Sequence, residues 1–281
     1  MVGSYVREVF TDFDLTLTDI RGAHTYLNVE DSSSVQKLID KVRPDYVLHL
    51  AAATDVDRCE LEPEWAKRVN VEGTKNVALG CKKLNIPMIY ISTGAVFNGE
   101  KKKPYIETDG ISPSNKYGVS KYQGEKVVES TLSCFYIVRA SWMIGGGKND
   151  KKFVRKIMDK IMSEVKSIKV VNDKFGSITY AKDLLYGIKE LIKTDRFGIY
   201  HMTNGGIHSR YDIAKEMINI LGKSNVEIAP VSSGEFPLPA PRGRSEAMEN
   251  HNLGLINLNY MRPWKDVLKE YIATELLTLY K

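Results

Sequence analysis

The chain has 281 residues, room for one large α/β domain or two small ones at roughly 100–200 residues each. Hydrophobic residues make up 43% and charged residues 27%, a composition that excludes disorder, collagen and a pure coiled coil. Forty basic against thirty-five acidic residues leave a net charge of +5. The excess is dispersed outside Lys101–Lys103 and Lys148 to Lys156. It lacks the concentrated stripe of a nucleic-acid binder and suits a small anionic ligand as well as solvated faces.

In chain order, Met1-Val2-Gly3-Ser4-Tyr5-Val6 reads as the tail of a glycine loop running into a helix. A strand follows over Asp14–Ile20, then a helix over Ser33–Val42 and a strand over Tyr46–Ala53. Glu64–Leu84 and Asn115–Leu132 carry apolar residues at helical spacing, and between and after them Pro87–Thr93 and Phe135–Ser141 read as strands. Strand alternating with helix, with crossovers long enough to return, predicts a Rossmann-like, doubly wound parallel sheet. The run Val47-Leu48-His49-Leu50-Ala51 has little alternation, as expected where helices cover both sheet faces.

Beyond Gly145 come a strand at Ile168–Val171 and helices over Lys152–Val165, Ala181–Lys193, Ser209–Leu221 and Trp264–Leu277, with an irregular stretch at Pro230–Asn250. The expected division is a dinucleotide-binding domain over 1–145 and a mixed segment over 146–281 that completes the sheet and forms a smaller C-terminal substrate lobe. A Rossmann domain opens with a strand and a glycine loop ahead of its first helix. The expectation is therefore that a first strand and part of the loop lie upstream of Met1. The longest apolar runs, Tyr46–Ala53 and Ile86–Ile91, fall short of the roughly 18–20 residues of a membrane span. Met1–Phe10 lacks a secretory pattern. Cys59, Cys81 and Cys134 are odd in number and include no C-x-x-C, which suggests neither a disulfide framework nor a metal site. A reducing, cytoplasmic setting is expected.

The chemistry begins at Tyr117-Gly118-Val119-Ser120-Lys121. Residues four apart share a helix face, so an ammonium there can lower the phenol's pKa and make it a proton donor or acceptor near neutrality. Tyr122/Lys126 and Tyr211/Lys215 repeat the spacing, so the spacing alone is ordinary helix surface. The first pair differs because the strand ending in Ser92-Thr93 precedes it, placing a hydroxyl at the carboxyl edge where open α/β sheets bind ligands. Thr93 and Tyr117 together can polarise a carbonyl oxygen.

With these residues in place, the chain resembles the extended short-chain dehydrogenase/reductases, and within them the dTDP-4-dehydrorhamnose reductase family. The likeness runs from Gly3 almost to the C-terminus. It rests on Ala51-Ala52-Ala53-Thr54-Asp55-Val56-Asp57-Arg58-Cys59-Glu60, Asn70-Val71-Glu72-Gly73-Thr74-Lys75-Asn76, Ile91-Ser92-Thr93, Val96-Phe97-Asn98-Gly99, Tyr117–Lys121 and Arg139-Ala140-Ser141-Trp142. Val171-Asn172-Asp173-Lys174-Phe175-Gly176 and Glu235-Phe236-Pro237 also fit.

The resemblance implies a catalytic set of Thr93, Tyr117 and Lys121. It implies cofactor contacts from Gly3, Ala51, Ala52, Ala53, Asn70, Tyr117 and Lys121, and substrate contacts from Thr54, Val56, Thr93, Trp142 and Arg242. Trp142 fits a core aromatic equally well, Asn70 a buried anchor of backbone groups, Cys59 a small buried hydrophobe, and Arg242 a solvated loop charge. Asp19, sixteen residues after Gly3, suits an adenosine ribose hydroxyl and NAD(H), while Arg21 suits a 2′-phosphate. NADP(H) is the preferred expectation and NAD(H) the alternative; both residues also fit charges on a surface turn. The family carries Asp-Tyr where this chain has Gly94-Ala95, which bears on the sugar bound and disfavours a 4,6-dehydratase, since neither residue is an acid or base. The expected activity is NAD(P)H-dependent reduction of a nucleotide-linked 4-keto-6-deoxy sugar, dTDP-4-dehydrorhamnose to dTDP-rhamnose first among them, without nucleic acid, membrane or metal, and with a homodimer as the assembly to be looked for. A 4-epimerase, or a non-catalytic NADP-binding subunit like the regulatory subunit of methionine adenosyltransferase, are the alternatives.

Overall fold

The structure is a computed structural model that describes residues 1–22, 24–163 and 165–280. Four parallel strands form the central sheet: β1 (Val47–His49), β2 (Met88–Thr93), β3 (Phe135–Ala140) and β4 (Gly198–His201), in the order β4-β3-β2-β1. The principal helices are α1 (Ser32–Val42), α2 (Gly73–Leu84), α3 (Lys116–Thr131), α4 (Phe153–Met162), α5 (Ala181–Leu191), α6 (Arg210–Leu221) and α7 (Trp264–Tyr271).

Two apolar cores lie on the two faces of the sheet, and the strand period of two divides residues between them. Met88, Tyr90 and Ile137 join Val35 and Ile39 of α1, Val77 and Cys81 of α2 and Val128 of α3. Ile89, Tyr136, Val138 and Ala140 point the other way, into a core shared with Leu184, Leu185 and Ile188 of α5 and with Met158 and Ile161 of α4. A residue such as Ile137, fully buried, contributes about 1.5–3 kcal/mol over its exposed state. Covering on both faces explains why these strands read as unbroken apolar runs.

Several sequence expectations change. The strand expected over Asp14–Ile20 shrinks to Thr18–Asp19, exposed and paired in parallel with Thr25–Tyr26. Only Leu15 and Leu17 of that run are partly buried against the core, so little apolar surface holds it in a sheet. The helix expected over Glu64–Leu84 is interrupted by a π-helical turn at Arg68–Glu72. Strand β4 was not expected, and it completes the sheet beside β3. Glu164, within the span expected for α4, lies outside the described residues. Beyond the main sheet, His208–Ser209, Phe175–Gly176 and Ser245–Glu246 form a three-stranded patch. Among the described residues no helix is long and apolar enough to cross a membrane.

Candidate active site

Thr93 is the last residue of β2 and is buried; its hydroxyl also accepts the backbone N–H of Ala95 at 3.2 Å. Asn115 caps α3 by accepting the Gly118 N–H at 2.8 Å, which places Tyr117 in the first turn. A Cβ at Gly118 would stand 2.1 Å from the Ala95 carbonyl oxygen; only glycine lets the helix approach the strand end this closely. The Tyr117 phenol consequently lies beside the Thr93 hydroxyl. Burial pushes the Tyr117 phenol up to about 12, the negative charge of Glu246 adds to the rise, and Thr93 opposes it. At neutral pH it is a protonated donor.

Lys121 is buried one turn along the helix, its ammonium 4.0 Å from the centroid of the Tyr90 ring. Burial pulls its pKa down to about 7, countered by the Glu125 carboxylate. The expected lowering of the Tyr117 pKa by Lys121 is not what this arrangement gives: the lysine stem follows the buried helix face toward Tyr90 and Glu125, and the phenol rises. Among the described residues the ammonium has no ion-pair partner within contact distance, so its three donors remain available.

Beneath this pair the support is polar. Asn70, fully buried in the π-helical turn, accepts the Ala53 N–H at 2.8 Å and donates to the Ala53 carbonyl at 3.1 Å and to Ser120 Oγ at 2.9 Å. Ser120 in turn donates to the Tyr117 carbonyl at 2.8 Å. Asn70 thus ties the loop after β1 to the first turn of α3, and its amide has no surface left for a ligand. A π turn, which widens the helix locally, is a common device at functional sites. Deeper still, Arg139 and Glu125 form a buried two-pronged ion pair at 2.9 and 2.7 Å, with the Ser92 hydroxyl donating to the same carboxylate.

On the cofactor side, Ala51 is exposed, Ala52 half-buried and Ala53 buried, beyond the carboxyl end of β1. Gly3 is exposed, and a Cβ there would meet only Leu50, at 3.9 Å. Asp19 accepts the Arg21 N–H at 2.9 Å, and both side chains are exposed. The uncommitted ammonium of buried Lys121 is the feature that fits a dinucleotide, because ribose hydroxyls can fill its donor sites.

On the opposite side, Thr54 is exposed and Val56, half-buried, begins a short helix capped by Asp55. Arg242 pairs with Asp57 at 3.1 Å and donates to the Ala240 carbonyl at 2.6 Å, while Asp57 also accepts the Ala240 N–H at 3.1 Å. This latches the Ala240–Arg242 stretch to the short helix that Val56 begins. Trp142 sits just past β3 with φ at +32°, a conformation that is strained for an aromatic residue and is found preferentially at functional sites. Its ring carries the Arg210 guanidinium 3.9 Å above. Sequence reasoning missed Arg210 and Glu246, which complete this wall. One opens α6 and the other ends a two-residue strand, and neither lies in a pattern that signals a site.

The family described as RmlD substrate binding domain matches residues 1–277. The spore coat polysaccharide biosynthesis protein SpsK of Bacillus subtilis (strain 168) is 33% identical over 247 residues, 88% of this chain and 85% of that protein. The solved dTDP-4-dehydrorhamnose reductase of Yersinia enterocolitica is 38% identical at a TM-score of 0.89, covering 98% of this chain and 96% of that one. That of Bacillus anthracis str. Ames, solved in complex with NADP, is 34% identical at a TM-score of 0.83, covering 88% and 86%. The chain belongs to the RmlD substrate-binding-domain family, within the extended short-chain dehydrogenase/reductases.

Proposed function

We propose that the chain reduces a nucleotide-linked 4-keto-6-deoxy sugar, dTDP-4-dehydrorhamnose to dTDP-rhamnose, with NADPH. The observation that carries this reading is the pair of adjacent hydroxyls, Thr93 and Tyr117, at the carboxyl edge of β2 with buried Lys121 one helical turn away. Curated relatives named dTDP-4-dehydrorhamnose reductase support the substrate, among them that of Mycolicibacterium smegmatis, 32% identical over 88% of this chain.

Tyr117 and Thr93 hold the C4 carbonyl oxygen between two O–H groups. As negative charge develops on that oxygen, both hydrogen bonds strengthen, and the reaction is favoured in its transition state. Tyr117 then delivers its proton to the oxygen. A phenol whose pKa sits near 12 is a poor base but a fully protonated acid at neutral pH, which suits the reductive direction. Lys121 binds the nicotinamide ribose, with Gly3, Ala51 and Ala52 lining the cofactor's path. Asn70 holds Ala53 and Ser120 so that loop and helix keep their spacing. When bound, the dihydronicotinamide supplies the hydride. The 2′-phosphate preference rests on Arg21, whose guanidinium is exposed, whereas the Asp19 carboxylate already accepts the Arg21 N–H.

The test is to follow NADPH absorbance with a panel of dTDP- and UDP-linked 4-keto-6-deoxy sugars. Oxidation of NADPH on the dTDP substrate is expected. Tight NADPH binding without turnover on any of them would replace the enzyme with a binding subunit.

A further inference from the structure

The wall facing Thr93 and Tyr117 holds a carboxylate that forms no ion pair among the described residues. Glu246 ends the short strand Ser245–Glu246, which pairs with Phe175–Gly176. Gly176 backs the Trp142 indole so closely that a Cβ would stand 2.4 Å from Cε2. This packing sets Glu246 beside Trp142 and near Ser141, whose buried hydroxyl has no hydrogen-bond partner among the described residues. Arg210 and Arg242 both attract the carboxylate. Neither forms an ion pair with it among the described residues: Arg242 is spent on Asp57 and Ala240, and Arg210 lies flat on Trp142 and 4.8 Å from Phe153. Glu246 is half-buried, and its backbone carbonyl oxygen lies 3.4 Å from where a Cβ at Gly94, next to Thr93, would stand; its charge raises the Tyr117 phenol, and the carboxylate borders the space over Thr93 and Tyr117.

The charge balance selects the ligand. Arg210 repels a cation and Glu246 repels an anion, whereas a neutral hydroxyl can donate to the carboxylate and accept from the guanidinium. Around a 4-keto-6-deoxy ring, C5 bears the methyl group, so the hydroxyl next to the carbonyl is the one on C3. We propose that Glu246 is a specificity-determining residue that accepts a hydrogen bond from the C3 hydroxyl of the sugar, beside Trp142 and with Arg210 alongside. The assignment of the ring position rests on the reductase reading; the vacant carboxylate does not.

Equilibrium binding tests it without turnover. Calorimetry would compare dTDP-rhamnose with its 3-deoxy and 2-deoxy analogues on the wild type, Glu246→Ala and Glu246→Gln, each saturated with NADP and each checked for unchanged NADP affinity. Losing a hydrogen bond to a charged group should cost the wild type about 10- to 100-fold on removal of the C3 hydroxyl. That preference should fall to about threefold or less in Glu246→Ala and to an intermediate value in Glu246→Gln, with discrimination at C2 the same in all three. Equal C3 discrimination in wild type and variants, no C3 discrimination in the wild type, or a loss confined to C2 would each overturn the proposal. A wild type that discriminates at C3 yet turns over no keto sugar would instead overturn the reductase reading and leave the role of Glu246 intact.

Discussion

The two walls of the cleft are built differently. Thr93, Tyr117 and Lys121 come from β2 and α3, two long regular elements packed into the central sheet, and Asn70 braces them with three hydrogen bonds. Trp142, Arg210 and the pair Arg242 and Glu246 come from three separate segments, joined through two-residue strands and a latched loop. Reaction chemistry needs atoms placed to within about half an ångström, which rigid elements supply. Substrate selection tolerates, and over evolutionary time exploits, the freedom of short connections.

The largest effect expected on the first wall is that of Tyr117→Phe. Removing a positioned acid costs about 10²- to 10⁴-fold in turnover, measured as NADPH oxidation, while NADPH affinity by fluorescence titration stays within about twofold. Near-full activity in the variant would mean that the phenol is not the proton donor and that the two walls do not divide the labour in this way.

Next in size is the foundation of that wall. Glu125→Ala leaves Arg139 charged, fully buried and unpaired, which should destabilise the protein by about 3–5 kcal/mol in urea unfolding. The double variant Glu125→Leu/Arg139→Met should recover most of that loss, because a well-packed apolar pair avoids the desolvation cost. No comparable loss is expected from Glu246→Ala, whose side chain keeps contact with solvent. Equal losses at the two carboxylates would erase the contrast between a rigid and an adaptable wall.

What could be read beforehand divides along the same line. Thr93 and the Tyr117–Lys121 pair were legible because one strand end and one helical turn contain them. The alternation within β2 and β3 was hidden by burial on both faces, yet their apolar runs still marked the sheet. Strand β4 was not legible, since Gly-Ile-Tyr-His is too short to show a period and its place beside β3 is a tertiary fact. Arg210 falls inside the helix expected over Ser209–Leu221 and Glu246 inside the irregular stretch Pro230–Asn250, and no pattern in either singles them out. Their meeting at Trp142 joins residues far apart in the chain, and no local spacing encodes it. The fate of Lys121 was half legible: its helix position was right, but the direction taken by its stem depended on Tyr90 and Glu125.

That direction makes a pH prediction for the first wall. An ordinary lysine holds its proton to about 10.5, whereas burial brings Lys121 to about 7. Between those values the unfolded chain binds the extra proton and the native state does not, so this group makes the fold more stable as pH rises from about 7 toward 10. The ammonium that would meet the cofactor is lost over the same interval. NADPH affinity should therefore fall about tenfold between pH 6 and pH 9, the scale of one charge-assisted hydrogen bond. Lys121→Met should flatten that dependence while leaving the protein at least as stable at pH 6, since an unpaired buried charge has been replaced by an apolar chain. An unchanged slope in the variant would assign the titration to another group.

The smallest effect is expected at the latch of the second wall. Asp57 holds Arg242 and the Ala240 N–H from a partly exposed position, 3.1 Å from each. An ion pair at that exposure contributes only about 0.2–1 kcal/mol, so Asp57→Ala should lower Tm by about 1–3 °C in a chain of this size. The Ala240–Arg242 stretch keeps two other anchors, Asn115 on the Pro241 carbonyl at 3.0 Å and Lys174 on the Arg242 carbonyl at 2.8 Å. Loosening it should raise KM for the nucleotide sugar a few-fold and leave kcat nearly unchanged, because the groups proposed to act on the C4 oxygen stand on the other wall. A fall in kcat larger than the rise in KM would show that the latch also sets the geometry of Thr93 and Tyr117, and the division between the walls would have to be redrawn through Asp57.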